Sequence, residues 1–277
     1  MKVELRKRIT TAAIIATLLF STLYFGGVSG TLIFISIASG LMLHEFGNIV
    51  FSLKDHQSKR IFLIIIGTLV MIFKSLEKYV FFPVFEIGFV FVSVFFLIQA
   101  RLHEDEENLK THVKEWFTSI AGITYLGLLP SFLVKLRSLE QGWSWCALLF
   151  FIVIASDTAA YFVGRKFGKT KLYPLVSPKK SLEGFVGGVL GSVLITALYS
   201  RIALQQYPLV QLLALGLVIG LIAPVGDLVE SLLKRGFDVK DSGGLLPGHG
   251  GLLDRADSVV FSVPVMYAGV KLLSQGG

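Results

Sequence analysis

The segment from Ser231 to Asp257 concentrates the side chains that phosphate chemistry requires. Its cations, carboxylates and single histidine are Lys234, Arg235, Asp238, Lys240, Asp241, His249, Asp254, Arg255 and Asp257. Glycines stand between them at positions 243, 244, 248, 250 and 251. Glycine permits left-handed turns and close approach of a ligand, and successive backbone N–H groups in such turns bind anions. The segment therefore predicts a shaped phosphate-binding loop that leads into a helix.

Asp254 and Asp257 are expected to share one face of that helix because they lie three residues apart. Carboxylates combined with substrate phosphates are the ligands that Mg²⁺ prefers. A second polar face lies at the end of the preceding hydrophobic segment. It consists of Asp227, Glu230, Ser231 and Lys234. The cations Lys234, Arg235, Lys240 and Arg255 suit phosphate oxygens. Spacing alone leaves open which of Asp238, Asp241 and Glu230 also reaches a metal.

A second group of candidate residues begins with Asp157, which lies inside a hydrophobic segment, where an ionisable side chain is costly and usually functional. The loop after it contains Arg165, Lys166, Lys169 and Lys171, for which a role in membrane topology is an equal alternative. Ser177, Lys179, Lys180 and Glu183 are the stronger candidates for substrate binding. They lie between a proline turn and the next predicted helix, where backbone donors and the helix dipole favour anions.

Other polar residues carry weaker signals. His44 and Glu45, at the end of the second hydrophobic segment, are interpreted as interfacial anchors, with contact to the site as the alternative. Glu86 suits a functional or a structural role equally. His249 is expected to contact a phosphate or to shape the glycine loop, in preference to acting as a general base. Solvent exposure is predicted for His56, His103 and His112.

The composition indicates what must position these residues. Hydrophobic residues make up 53% of the 277 positions and charged residues only 16%, against about a quarter charged in soluble domains. The apolar residues form long blocks that suit membrane-spanning helices, and the one cysteine, Cys146, excludes an intramolecular disulfide. The prediction is an all-α, polytopic membrane protein with about nine spans: 9–26, 31–52, 61–77, 79–99, 116–134, 143–164, 184–200, 208–228 and 258–274.

The basic residues predict the orientation of these spans. With a cytoplasmic N-terminus, 20 of the 26 Lys and Arg residues fall on the inside, as the positive-inside rule requires. The polar stretches 165–183 and 229–257 then share the cytoplasmic side, so the active site is expected at that membrane face. We divide the chain into N-terminal spans, 1–140, and a catalytic region, 141–277. The first apolar stretch is interpreted as a retained helix instead of a cleaved signal peptide.

These residues resemble the bacterial phosphatidate cytidylyltransferases, or CDP-diacylglycerol synthases. The family signature, Ser-x-x-Lys-Arg, then Lys-Asp, then Pro-x-His-Gly-Gly-x-x-Asp-Arg-x-Asp, is matched from Ser231 to Asp257. The matching positions are Ser231, Lys234, Arg235, Lys240, Asp241, Pro247, His249, Gly250, Gly251, Asp254, Arg255 and Asp257. The stretch from Asp157 to Gly184 resembles a second family segment. One departure is Ala256, where the family usually has a bulkier aliphatic residue.

The resemblance implies Mg²⁺-dependent conversion of CTP and phosphatidate to CDP-diacylglycerol and pyrophosphate. By analogy, Asp227 and Asp254 would hold the metal, with Asp257 as a further candidate ligand. It also implies a homodimer in a bacterial inner membrane, and no nucleic-acid partner is expected. The sequence does not decide whether a second cation accompanies Mg²⁺.

Two alternatives remain at this point. A CTP-dependent polyprenol or dolichol kinase would need the same metal and phosphate chemistry. A transporter or channel would line a pathway with Asp157, Glu86 and Asp227, although the charges gather at one membrane face instead of the midplane.

Overall fold

A computed structural model of the chain describes residues 2–51, 57–77, 84–100, 106–246 and 250–275. Most of these residues are helical. The helices are α1 (Lys2–Phe25), α2 (Gly27–Val50), α3 (Gln57–Ser75), α4 (Val84–Ala100), α5 (Glu106–Gly122), α6 (Leu129–Arg137), α7 (Gly142–Phe167), α8 (Leu182–Ala203), α9 (Leu209–Gly236) and α10 (Leu253–Gln275). A π-helical segment, Ile123–Leu128, joins α5 to α6.

Within the described residues, six helical stretches are long and apolar enough to cross a membrane. They are Gly27–Val50, Glu106–Arg137, Gly142–Phe167, Leu182–Ala203, Leu209–Gly236 and Leu253–Ser274. Two shorter apolar stretches, Ala13–Phe25 and Val84–Ala100, accompany them. The predicted helical membrane fold is therefore confirmed, with six spans supported by length and composition.

The π-helical segment is held by a hydrogen bond from α2. Pro130 has no N–H, so it cannot donate to the carbonyl of Leu126, its partner four residues earlier in a regular helix. The hydroxyl of Ser39 donates to that carbonyl instead, and both groups are buried. Close packing accompanies this bond, because a Cβ at Gly127 would lie 2.7 Å from the carbonyl oxygen of Gly67. These contacts fix α2 and α3 against the middle of the α5–α6 span.

Small residues bring α7 and α8 together. Glycines at 184, 187, 188 and 191 of α8 recur at helical spacing and face α7. A Cβ at Gly187 would lie 2.6 Å from the Cβ of Val163, and one at Gly191 would lie 2.7 Å from that of Ala159. Stripes of small residues are how membrane helices approach closely without a hydrophobic driving force. This packing places Asp157 of α7 beside the start of α8.

A short hairpin separates α7 from α8. Strand β1 (Lys171–Tyr173) pairs antiparallel with β2 (Ser177–Ser181), with Tyr173 opposite Ser177. Sequence analysis treated this stretch as a loop, and it is the one strand pair among the described residues. Ser181 ends β2 and caps α8, since its hydroxyl accepts a hydrogen bond from the N–H of Gly184 at 3.2 Å. The hairpin therefore fixes where Lys179 and Lys180 lie.

One apolar cluster joins the two halves of the chain. It contains Leu23 and Ile35 from the first two helices together with Trp145, Ile219 and Val263, all buried. The proposed division at residue 140 stays a prediction, and packing runs across it.

A buried polar cluster links α3 and α5. Lys59 Nζ lies 2.5 Å from Glu115 Oε2 and 3.4 Å from His112 Nδ1, and His112 Nε2 lies 2.7 Å from the carbonyl oxygen of Phe96. His112 is only 4% exposed. The prediction of a solvated His112 is therefore wrong, because its ring nitrogens meet a lysine and a carbonyl of neighbouring helices. His56 and His103 lie outside the described residues.

Candidate active site

Asp254 is held from three directions at the first turn of α10. Its carboxylate accepts hydrogen bonds from Lys234 Nζ at 2.7 Å, from the N–H of Gly251 at 2.9 Å and from the N–H of Ser242 at 3.2 Å. Gly250 supplies the turn before it with a φ of +82°, a conformation that a side chain would strain. The glycine-rich segment therefore delivers Asp254 in one fixed orientation.

Lys234 connects Asp254 to the end of α9. Its ammonium also lies 2.5 Å from Glu230 Oε2, one helical turn earlier. Glu230 is 1% exposed, and its Oε1 has no hydrogen-bond partner among the described residues. A buried carboxylate oxygen without a partner is costly. The pair of Glu230 and Asp254 therefore offers oxygen ligands that a cation would satisfy.

A second cluster of carboxylates lies around Asp227. Asp227 accepts a hydrogen bond from Ser231 Oγ at 3.2 Å and pairs with Lys180 Nζ at 2.7 Å. Asp157 and Asp257 both interact electrostatically with Asp227. The close approach of α9 to α10 explains this, because a Cβ at position 226 would lie 2.5 Å from the carbonyl oxygen of Asp257. Asp227 thus contacts the ammonium group of Lys180 directly, and Asp157 and Asp257 lie within electrostatic range of it.

This carboxylate cluster opens into a cavity of about 400 Å³ between α7, α8 and α9, which we call the polar cavity after the charged side chains in its lining. Cations and carboxylates line the same space, and Lys180 pairs with Asp227 within it. Its polar lining consists of Asp157, Tyr161, Arg165, Lys179, Lys180, Ser181 and Asp227. The structure thereby brings together Asp157, Lys179 and Lys180, which sequence analysis selected as substrate-binding residues.

The predicted metal ligands do not converge on one point. Asp254 lies with Lys234 and Glu230, whereas Asp227 and Asp257 lie with Asp157. In the part of the chain that the structure describes, no three His, Cys, Asp or Glu side chains are arranged to hold a metal ion. The donor chemistry nevertheless fits Mg²⁺, since both clusters offer hard carboxylate oxygens and the orphaned oxygen of Glu230 borders one of them. The assignment of Asp227, Asp254 and Asp257 as ligands stays a prediction.

A family model described as the cytidylyltransferase family matches residues 6–273 of the chain. This protein belongs to the cytidylyltransferase family. The match runs through every described span, so it covers the N-terminal helices as well as the two clusters of the candidate site.

Curated relatives carry a more specific name. A phosphatidate cytidylyltransferase of Bacillus subtilis (strain 168) is 39% identical over 169 residues, which cover 61% of this chain and 62% of the relative. One of Staphylococcus epidermidis is 41% identical over 147 residues, 53% of this chain and 56% of the relative. One of Synechocystis is 40% identical over 183 residues, 56% of this chain and 62% of the relative. The chain therefore spans about three fifths of the length of the relatives it matches.

Several residues of the cytidylyltransferase signature lie apart from the two clusters. Arg235, Lys240 and Asp241 are exposed where α9 ends and the glycine-rich segment begins. Arg255 lines a different, apolar cavity on the other side of α10. His249 lies outside the described residues. Gly251 packs against Ser242 and Glu45, where a Cβ would lie 2.7 Å from Glu45 Oε2.

Two of the substrate-binding candidates shape the hairpin region. Glu183 accepts hydrogen bonds from the backbone N–H groups of Lys169 and Thr170, both at 3.1 Å, and so orders the loop before the hairpin. Ser177 begins β2 opposite Tyr173. Both side chains lie next to the cavity-lining lysines in the chain, and neither lines the cavity itself.

Sequence analysis missed the role of Glu45. Its carboxylate, 4% exposed, accepts hydrogen bonds from the N–H groups of Leu252 at 3.0 Å and Leu253 at 2.9 Å. Glu45 thus caps α10 from another helix, so its interpretation as an interfacial anchor is wrong. His44, its neighbour, is exposed and lies 3.4 Å from Asn48. The signal in the sequence was that apolar residues, Phe46 and Ile49 to Phe51, follow Glu45. This pattern indicates that Glu45 lies inside the protein and not at its surface.

Proposed function

We propose that this protein transfers the cytidylyl group of CTP to phosphatidate and releases pyrophosphate. The observation that carries the proposal is the polar cavity between membrane helices α7, α8 and α9, which Lys179, Lys180, Asp157 and Asp227 line. Such a cavity suits a water-soluble anion reacting with a lipid held in the bilayer. The names of the relatives support the same substrates, since each matched relative is called a phosphatidate cytidylyltransferase.

In the proposed reaction, a phosphate oxygen of phosphatidate attacks the α-phosphorus of CTP. The new P–O bond forms in line as the bond from the α-phosphorus to the bridging oxygen of the β-phosphate breaks, and the bond electrons leave with pyrophosphate. An ionised phosphate needs no general base. Catalysis therefore depends on positioning and on electrostatic stabilisation of developing charge.

The described residues suit this task. Lys179 and Lys180 line the cavity and would bind phosphate oxygens. Lys234, fixed between two carboxylates, would place positive charge beside the reacting groups. Mg²⁺ would be held at one of the two carboxylate clusters, by Asp227 with Asp257 or by Asp254 beside Glu230, and would supply neutralisation of phosphate charge. A second cation would be accommodated by the surplus of carboxylates around Asp157.

The proposal includes a membrane setting. About nine spans, as predicted from the sequence, would cross a bacterial cytoplasmic membrane, with the N-terminus and the polar cavity on the cytoplasmic side. The excess of basic residues on that side supports the orientation, and CTP is available there. A homodimer is proposed on the family resemblance alone.

The decisive test is a transfer assay with purified protein in detergent, phosphatidate, Mg²⁺ and CTP labelled at the α-phosphate. We expect label in a lipid product with the wild type and almost none with Asp254→Asn. If the γ-phosphate of CTP is instead transferred to a polyprenol, the protein is a lipid kinase. Label in neither product from folded protein would refute both enzymes and favour transport.

A further inference from the structure

Helix α10 has two faces of opposite character. Asp254, Asp257 and Ser258 lie on one side of the helix. This side faces α9, where Asp254 contacts Lys234 and Asp257 packs against Gly226. Arg255, Ala256, Val259, Val260 and Val263 occupy the other side, because each residue turns about 100° around the helix axis. The catalytic carboxylates and this second face therefore lie back to back on one helix.

The second face borders a largely apolar cavity of about 310 Å³, distinct from the polar one. Its walls come from α1, α2, α6, α7 and α10. Buried Met42, Leu133 and Val263 form its floor, whereas Leu18 and Ile37 at its rim are 55% and 60% exposed. Exposed apolar residues at the rim of a membrane protein face lipid, so the cavity is a groove open to the bilayer.

Arg255 is the one charged residue among the described residues that line this groove. It lies at the end of the groove where α10 begins, next to Asp254. A guanidinium binds phosphate through two parallel hydrogen bonds. The groove therefore combines an apolar channel with a phosphate-binding group at one end, which matches the chemistry of an anionic phospholipid.

The length of the groove also suits an acyl chain. Arg255 and Val263 are eight residues apart, which corresponds to ~12 Å along a helix. One leaflet of the bilayer contributes about half of the ~30 Å hydrocarbon core. A chain that begins at Arg255 would therefore run through most of one leaflet, and the small Ala256 keeps the groove wide near the headgroup.

We propose that this groove holds an acyl chain of the phosphatidate substrate while Arg255 binds its phosphate. The inference rests on the proposed function for the identity of the lipid. The two substrates would approach the first turn of α10 by separate routes, CTP through the polar cavity and the lipid along the groove, so that the phosphate held by Arg255 reaches the α-phosphate of CTP at that turn.

The first experiment maps lipid contacts without using activity. Purified protein in phosphatidylcholine nanodiscs is irradiated with phosphatidate that carries a diazirine midway along one acyl chain. We expect cross-links concentrated between Phe34 and Met42 and between Leu252 and Val263, reduced severalfold by excess phosphatidate. Cross-links spread equally over lipid-facing residues such as Leu190 and Leu194 of α8 would refute the groove.

The second experiment fills the groove. Ala38 lines it on α2, and Ala16 on α1 is exposed without lining it. We expect Ala38→Phe to lower kcat/KM for long-chain phosphatidate about tenfold relative to dihexanoyl phosphatidate, and to abolish the groove cross-links. Ala16→Phe should leave both unchanged. Equal effects on long and short chains, or equal effects of the two variants, would overturn the proposal.

Arg255 is tested separately through the headgroup. Arg255→Gln should raise KM for phosphatidate severalfold with little change in KM for CTP, and Arg255→Lys should restore part of the loss. A rise confined to KM for CTP would place Arg255 with the nucleotide instead. Groove cross-links without any cytidylyl transfer would refute the proposed function and leave the lipid site standing. Cytidylyl transfer without groove cross-links would refute the lipid site and leave the proposed function standing.

Discussion

The carboxylate of Glu45, near the end of α2, accepts the backbone N–H of Leu253 at 2.9 Å at the start of α10. It also accepts the N–H of Leu252, so one side chain satisfies two of the donors that a helix N-terminus leaves unpaired. Asp254 follows directly. A residue from the N-terminal helices therefore fixes the backbone that carries the central carboxylate of the candidate site.

Loss of Glu45 should destabilise the protein and lower its activity together. Glu45→Ala leaves the buried N–H of Leu253 and the partly buried N–H of Leu252 without acceptors, which costs up to ~1–3 kcal/mol for each group. Glu45→Gln keeps one acceptor oxygen and should retain more of both properties. Thermal unfolding in detergent and turnover would be measured, with His44→Ala as the exposed neighbouring control. Wild-type stability and turnover in Glu45→Ala would contradict the capping role.

Asp254 and Lys234 should behave as one unit. Asp254→Asn and Lys234→Met should each reduce turnover by roughly 10²-fold or more, as expected when a charge that stabilises the transition state is removed. The double variant should lose much less than the product of the single losses, because each substitution disrupts the same pair. Asp238→Asn, at an exposed position before the glycine-rich segment, serves as the control. Multiplicative losses in the double variant would argue that the two residues act independently.

Lys180 should affect substrate binding more than folding. Its ammonium pairs with Asp227 and lines the polar cavity, so Lys180→Gln removes a phosphate-binding group and leaves Asp227 without its cation. We expect a severalfold rise in KM for one substrate, and a smaller rise for Lys179→Gln. Lys171→Gln, in the exposed strand β1 and outside the cavity lining, should keep wild-type kinetics. Unchanged KM values for both Lys179 and Lys180 variants would leave these lysines as topology determinants.

Glu77 predicts an acid-sensitive contribution to stability far from the candidate site. Lys135 and Lys74, each 2.5 Å from its carboxylate, lower the pKa of Glu77 below the ordinary 4.5. Its ion pairs therefore contribute fully above that value, and the contribution is lost as the pH falls through the lowered pKa. The difference in melting temperature between wild type and Glu77→Gln should accordingly shrink between pH 6 and pH 3. A difference that stays constant over this range would contradict the assignment.

Hydropathy was sufficient to predict a helical membrane fold, because a bilayer allows few alternatives to long apolar helices, and six spans are supported among the described residues. The position of Asp157 in the lining of the polar cavity was also predictable, since an ionisable side chain inside an apolar segment is costly and usually functional. The pairing of Lys234 with Asp254 was not, because it depends on the path of the intervening glycine-rich segment. Glu45 was misjudged for a related reason: its partners lie more than 200 positions away, and only the packing of α2 on α10 reveals them.

Arg255 illustrates a limit of motif-based assignment. The signature places it beside Asp254, and the sequence therefore grouped it with Lys234 as a cation for phosphate oxygens. On helix α10, however, the side chains of Arg255 and Asp254 point about 100° apart around the axis, which is enough to turn Arg255 towards a different cavity. Adjacent positions in a motif can thus serve chemically different compartments.

The hydroxyl of Ser39 replaces the N–H that Pro130 lacks, and Glu45 lies six residues further along the same helix. These two bonds, ~9 Å apart along the axis, attach α2 to the π-helical segment and again to the start of α10. A helix tied at two heights can neither slide along its axis nor rotate without breaking one of them. The position of Asp254 relative to α2 is thereby fixed, and any widening of the groove is expected from the walls that these bonds do not tie, α1 and α7.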